Sequence, residues 1–272
     1  MKDETLKLER CAALPFVEMR LASQSCACYQ AHSHDEFSFG VIDQGAADYR
    51  NGGAQHRVAS GTLVTINPAD VHSCNPDEGL WSYRMLFVDT QWIGELQREC
   101  LGGQTDYRAF EAHYQSDPGF YNRFSALYQT LSLDNDPLAA ESELIEFLQP
   151  LFQVTNADNP RLTAQRAPEI RRVTELIMDH LADPLPLEHL CQVSGLNRYQ
   201  LIRRFKQVHG MAPHAFQLDH RIKQARRLLR DQQFPLIDVA QQLGFADQAH
   251  FQRHFRQRTA LSPGRYRAFF RA

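Results

Sequence analysis

IDVAQQLGFADQAHFQRHFRQRTALSPGRYR, Ile237 to Arg267, decides the architecture of half the chain because it has a copy. PLIDVAQQLGFADQAHFQRHFRQRTALSPGRY, from Pro235, aligns without a gap under LPLEHLCQVSGLNRYQLIRRFKQVHGMAPHAF, from Leu185, at an offset of 50. Leu187 falls on Ile237, Leu190 on Ala240, Val193 on Leu243, Leu201 on Phe251, Arg203 on Arg253, Phe205 on Phe255 and Pro213 on Pro263. Self-similarity of this kind marks one supersecondary unit used twice. Apolar residues three apart at Leu187, Leu190 and Val193 predict a helix with one buried face. Gly195 and Gly244 predict the turn that follows, and Asn197 and Asp247 the N-cap of a second helix. That helix carries Leu201 and Phe205 in one copy, Phe251 and Phe255 in the other. Helix, tight turn, helix is a helix-turn-helix, here at about 187–208 and about 237–258.

Outward from the repeat, each second helix presents a face opposite its apolar stripe. The first copy offers Arg198, Tyr199, Ile202 and Arg203, the second Gln248, Ala249, Gln252 and Arg253. Arg reads guanine, Gln reads adenine and an apolar side chain meets the thymine methyl, so these eight are the candidate base readers of a major groove. His250 and His254 can touch phosphate or pack. Between the copies, PHAFQLDHRIKQARRLLRD predicts a linker helix at about 213–230. Phe216, Ile222, Ala225, Leu228 and Leu229 lie on one side, and Arg221, Lys223, Arg226 and Arg227 on the other. Charge agrees with a polyanionic partner. From Arg161 onward there are 19 Lys and Arg against 9 Asp and Glu, and before it 10 against 23, inside a chain whose net charge is only −3. A helical bundle with duplicated packing would explain the repeat, but not the caps, turns and charge together.

These residues resemble the AraC/XylS-type transcription regulators. The resemblance rests on IDVAQQLGFADQAHFQRHFRQRTALSPGRYR and, more loosely, on LCQVSGLNRYQLIRRFKQVHGMAPHAF, and it covers roughly 168–270. Ala260 departs from it, since members commonly have Gly at the end of the second recognition helix. The resemblance implies double-stranded promoter DNA and RNA polymerase as partners, and a small-molecule effector bound in an N-terminal domain.

The acidic half reads as short strands: EFSFGVI, GAADYRNGGAQHRV, GTLVTI and LWSYRMLFVD, with Asn51-Gly52-Gly53 as a hairpin turn. Many short strands between Gly-rich turns favour a barrel or sandwich. HSHDEF (32–37), followed later by GTLVTINPADVH (61–72), resembles the cupin barrel such regulators often carry. If HSHDEF is a strand, alternation puts His32, His34 and Glu36 on one face, and His72 can approach from an opposing strand. These four are the candidate effector-binding residues. His32, His34 and His72 can also hold a divalent transition metal, Zn, Ni or Fe, with Cys74 as a soft neighbour. Metal-binding cupins usually space the Glu further from the second His, so an effector wall without metal, or merely structural histidines, stay open. After Trp92 the period becomes helical, with Phe120, Phe124, Leu127 and Leu131, then Leu144, Phe147, Leu148 and Leu151. Such helices pack on a barrel, and in similar regulators they form a dimer interface.

The expected fold class is therefore α+β in two domains. Residues 1–155 form a cupin-like β-barrel with a helical, dimer-forming extension at 105–155, 156–167 form a linker, and 168–272 form an all-α DNA-binding domain. No run of 18 apolar residues occurs, and the first twenty residues carry acids where a signal peptide needs an apolar stretch. The chain is thus expected in the bacterial cytoplasm, at the nucleoid when bound, with its six cysteines reduced and no contact with a membrane. The expected function is a sequence-specific, effector-controlled transcription regulator, an activator and not an enzyme, with no catalytic residues and no assured cofactor. Its alternatives are a metal-dependent cupin enzyme fused to a DNA-binding domain, or a metal-sensing regulator.

Overall fold

Two glycines shape the N-terminal half. Gly45, at φ 84°, turns the chain out of β3 (Phe37–Gln44) into β4 (Ala46–Asn51), which pairs in a different sheet. Between β4 and β5 (Ala54–Ala59), Gly52 and Gly53 sit at φ 58° and 98°, the two positive values a two-residue type I′ hairpin requires. The other strands are β1 (Leu6–Arg10), β2 (Val17–Ser25), β6 (Leu63–Ile66), β7 (His72–Pro76), β8 (Trp81–Val88) and β9 (Tyr114–Gln115). Pairing is antiparallel, in a six-stranded sheet ordered β1, β2, β8, β3, β6, β9 and a three-stranded sheet ordered β5, β4, β7. The barrel that the sequence suggested is thus open: no pairing among the described strands closes the sheets into a ring, because the chain changes sheet at corners such as Gly45. HSHDEF is not a strand either, since β3 begins only at Phe37.

This computed structural model describes residues 5–77, 79–101, 107–133, 136–152, 167–231 and 233–270. They divide into two units, 5–28 with 33–152, and 29–32 with 167–270. The expected linker at 156–167 lies outside the described residues, apart from Ala167.

In the first unit the pleat sorts the large sheet into two faces. Val17, Met19, Phe37, Phe39, Val41, Leu63, Leu86 and Val88 form one cluster with α1 (Thr90–Leu101), α2 (Pro118–Leu133) and α3 (Pro137–Phe152). Phe39 stacks on Phe147 of α3 with centroids 5.1 Å apart and meets Phe124 of α2 edge-on at 5.9 Å. Arg84 shares this face. Its guanidinium donates to both carboxylate oxygens of Asp43 (2.6 and 2.9 Å) and to Ser125 Oγ (2.9 Å), while Tyr121 also donates to Asp43 (2.9 Å), which ties α2 to the sheet.

The second unit is helical: α4 (Pro168–Asp179), α5 (Leu187–Ser194), α6 (Arg198–His209), α7 (Pro213–Arg230), α8 (Leu236–Gln242), α9 (Gln248–Thr259) and α10 (Pro263–Ala268). Ile170, Val173, Ile177, Leu190, Leu201 and Phe205 form the first core, and around α9 Phe251 and Phe255 are fully buried, with Phe255 meeting Tyr266 at 5.4 Å. Gly195 ends α5 at φ 70°, and Asn197 then starts α6 with a reciprocal capping box to Gln200. Asp247 accepts from the His250 amide at 2.6 Å to start α9. The α7 reading needs correction: Lys223 is 6% exposed, not on a solvated basic face, and lies 3.8 Å from the buried Asp219, whose carboxylate needs a cation there. Ala260 takes the left-handed conformation (φ 59°) that caps α9, an arrangement Gly adopts without strain. Ala260→Gly is expected to raise the stability of this unit by up to about 1 kcal/mol, read as a higher thermal midpoint.

Candidate functional site

Capping fixes where the reading side chains point. Because Asn197 and Asp247 start α6 and α9, the eight candidate base readers fall in the first two turns of their helices, the part that enters a major groove in helix-turn-helix proteins. Arg198, Tyr199, Ile202, Arg203, Ala249 and Arg253 are exposed, Tyr199 at 72%, while Gln248 and Gln252 are half-buried. Most informative is how the arginines are spent. Arg204 is tied to Glu169 at 2.6 Å, and Arg221 gives three bonds to backbone carbonyls. Arg258 is buried 4.0 Å from Asp219. Among the described residues Arg198, Arg203 and Arg253 have neither a carboxylate partner nor a hydrogen bond.

Arg221 and Gln217, both on α7, hold the two helix-turn-helix units to one frame. Arg221 Nε donates to Leu181 O (2.7 Å), Nη2 to Asp183 O (3.0 Å) and Nη1 to Gly244 O (2.8 Å), so one side chain clamps the approach to α5 and the turn after α8. The sequence placed Arg221 on the basic side of the linker helix; the structure makes it an internal fastener.

His250 and His254 on α9 are packed, not presented. The His250 and His254 rings meet at 4.6 Å, and their Nδ1 atoms are buried without a hydrogen bond. Burial, then the neighbouring His250 and Arg258, push His254 down to about 4, and burial beside His220 does the same to His209. Depressed histidines contribute stability that is complete above their ordinary value of 6.5 and is lost as pH falls towards 4. The thermal midpoint of this unit is therefore expected to fall between pH 6.5 and 4.5, and less steeply in His254→Asn. A profile identical in the two proteins would refute that assignment.

In the first unit the structure joins two of the four candidate effector residues. His34 is 3% and His72 6% exposed, with ring centroids 4.9 Å apart. Their Nδ1 atoms reach the carbonyls of Glu36 (2.8 Å) and Asp70 (2.9 Å). A carbonyl only accepts, so Nδ1 carries a proton, and Nε2 of His34 shares a hydrogen bond with Ser38 Oγ at 3.2 Å. Phe87 closes on His34 edge-on at 5.3 Å. Glu36 contributes its carbonyl to this arrangement and is half-buried. His32 is grouped with the other unit, stacked on Tyr29 at 5.7 Å and bonded to Gln30 O. The expected metal set of His32, His34 and His72 is thus not assembled: among the described residues no three His, Cys, Asp or Glu are placed to hold a metal ion. Burial and the carboxylates of Asp48 and Asp77 push the Cys74 thiol up to about 12.

Sequence reasoning missed the neighbours of this pair. Glu18 and Arg20 on β2 and Ser38 on β3 are buried on the sheet face away from the helices, in register with Phe87 and Met85 of β8. The Arg20 guanidinium lies over the Phe87 ring at 4.9 Å.

The chain matches the model of an AraC-like ligand binding domain over residues 26–148 and that of a helix-turn-helix domain over 190–268. An uncharacterised helix-turn-helix transcriptional regulator, YbfI of Bacillus subtilis, is 28% identical over 80% of this chain and 80% of its own. The activator RhaS of Shigella flexneri is 22% identical over 93% and 91%. Among solved structures, ToxT of Vibrio cholerae with an unsaturated fatty acid bound superposes with a TM-score of 0.58 at 14% identity, covering 99% of this chain and 97% of that one. With both domain models matched in one chain, this chain belongs to the AraC-type transcription regulators, joining a ligand-binding domain to a helix-turn-helix domain.

Proposed function

We propose that this regulator activates transcription by placing α6 and α9 in successive major-groove faces of promoter DNA, under the control of a small molecule bound beside His34 and His72. What carries the reading is the set of exposed, unspent arginines, Arg198, Arg203 and Arg253, on two helices held in one frame. The test is selection of binding sites from a random duplex pool by the full chain. Two unlike half-sites about 10 base pairs apart are expected, and recovery of no sequence preference beyond charge would defeat the proposal.

For the effector, His34, His72, Ser38, Arg20 and Phe87 offer donors, acceptors and an aromatic wall in one buried region. A thermal-shift screen of sugars, amino acids, fatty acids and divalent metals should find a compound that stabilises the chain by about 2.7 kcal/mol at a hundred times its Kd. The shift should vanish in His72→Ala, and a hit indifferent to that change binds elsewhere. The same reading includes a homodimer through α2 and α3, contact with RNA polymerase and a cytoplasmic location. Leu133 and Leu138, at neighbouring helix ends, are 71% and 75% exposed and support the dimer face. No helix among the described residues is long and apolar enough to cross a membrane. Regulation is preferred to cupin catalysis because the relatives this chain resembles along most of its length are transcription regulators.

A further inference from the structure

Behind the reading face of the first helix-turn-helix lies a cavity of about 170 Å³, which effector capture in the first unit does not use. Its walls include Ile177 of α4, Leu187 and Leu190 of α5, and Ile202 of α6, with His214 and Gln217 of α7. Gln217 is 7% exposed, and its amide nitrogen donates to the carbonyls of His180 (3.3 Å), Leu181 (3.2 Å) and Asp183 (2.8 Å). Those bonds fix the plane of the amide and identify its nitrogen, because carbonyls only accept. Oε1 remains as an acceptor at the cavity wall, with no donor among the described residues.

Volume and chemistry together define the occupant. An apolar protein cavity of about 150 Å³ takes benzene, so this one holds a single ring or a small fused pair. With His214 the other polar side chain on mainly apolar walls, the fixed Gln217 acceptor selects a molecule with one N–H or O–H donor. We propose that this cavity is a second ligand site, for small aromatic compounds of the indole or phenol class, with the ring against Ile177, Leu187 and Leu190 and the donor on Gln217 Oε1. Ile202 is shared: it lines the cavity, and at 38% exposure it also stands among the base readers. Occupancy therefore acts on DNA reading directly, without passing through the first unit.

The test uses the full chain with labelled Ile and Leu methyl groups, and indole as the probe, with indane as a ring of the same shape lacking the donor. Indole is expected to shift the Ile177, Leu187, Leu190 and Ile202 methyl signals, to bind roughly 2–10-fold more tightly than indane, and to change the Kd for the selected DNA by about fivefold or more. Ala212→Leu and Leu187→Trp fill the cavity from two sides, and whichever variant keeps the parent thermal midpoint should lose the shifts. No shift at millimolar indole, shifts confined to the first unit, or shifts that persist in a folded filled variant would each overturn the proposal.

Discussion

Gly244→Ala is expected to cost the DNA-binding unit roughly 3–5 kcal/mol, whereas Gly195→Ala costs only about 1. Both glycines are left-handed, at φ 71° and 70°, so both substitutions carry the same backbone strain. They differ in what a new Cβ meets. At Gly195 nothing lies within 4 Å, but at Gly244 the Ala182 carbonyl oxygen would be 1.8 Å away and its carbon 2.7 Å. Neither side can retreat cheaply. Arg221 pins Gly244 O at 2.8 Å and the carbonyls either side of Ala182, Leu181 and Asp183, at 2.7 and 3.0 Å. A loss of 3 kcal/mol lowers the midpoint of a domain this size by about 12 °C or more. Thermal unfolding of the two variants side by side checks the claim. Equal midpoints would mean that the contact between the two helix-turn-helix units yields freely and that α7 does not hold them in one frame.

That contact also marks where the sequence stopped being legible. Gly195 and Gly244 could be read as turn residues because local backbone chemistry writes itself into residue type. That Gly244 abuts Ala182, 62 positions earlier, leaves no local trace. The repeat, its caps at Asn197 and Asp247 and its aromatic stripe were legible for the same reason, being matters of helical period and of single residues. The histidines were harder. HSHDEF has no apolar alternation of its own, so a strand there was inferred only from its neighbours, and the chain instead turns before β3 while still burying His34. Glu18 and Arg20 went unread for a different reason. In VEMRL they alternate with apolar residues as on a strand with one wet face, yet a sheet covered on both sides buries them at 6% and 9% exposure. A charged position on a doubly covered strand is recognisable only when the second layer is known. Lys223 and Arg221 show the same limit on a helix: amphipathic period gives two sides, and α7 is enclosed on more than one.

Arg203→Ala combined with Arg253→Ala is expected to weaken binding of the selected DNA site by about 2–6 kcal/mol, the sum of about 1–3 for each. Additivity is expected because the two arginines stand on separate units, joined through α7, whose 18 residues span about 27 Å. Since they occupy matching positions of the repeat, each should relax base preference in its own half-site and leave the other unchanged. The alternative role of these side chains gives a different pattern. An arginine that only neutralises phosphate would weaken all sequences alike and lower the slope of log affinity against log salt by about 1. Arg204→Ala supplies the internal comparison. Arg204 lies one residue from Arg203 on the same helix but is already engaged with Glu169 at 2.6 Å, and an ion pair at the surface contributes little. Binding measured on the selected site and on single-base variants of each half separates the cases. If Arg204→Ala weakens DNA binding as much as Arg203→Ala does, freedom from protein partners is no guide to the reading residues, and the assignment of the α6 face falls with it.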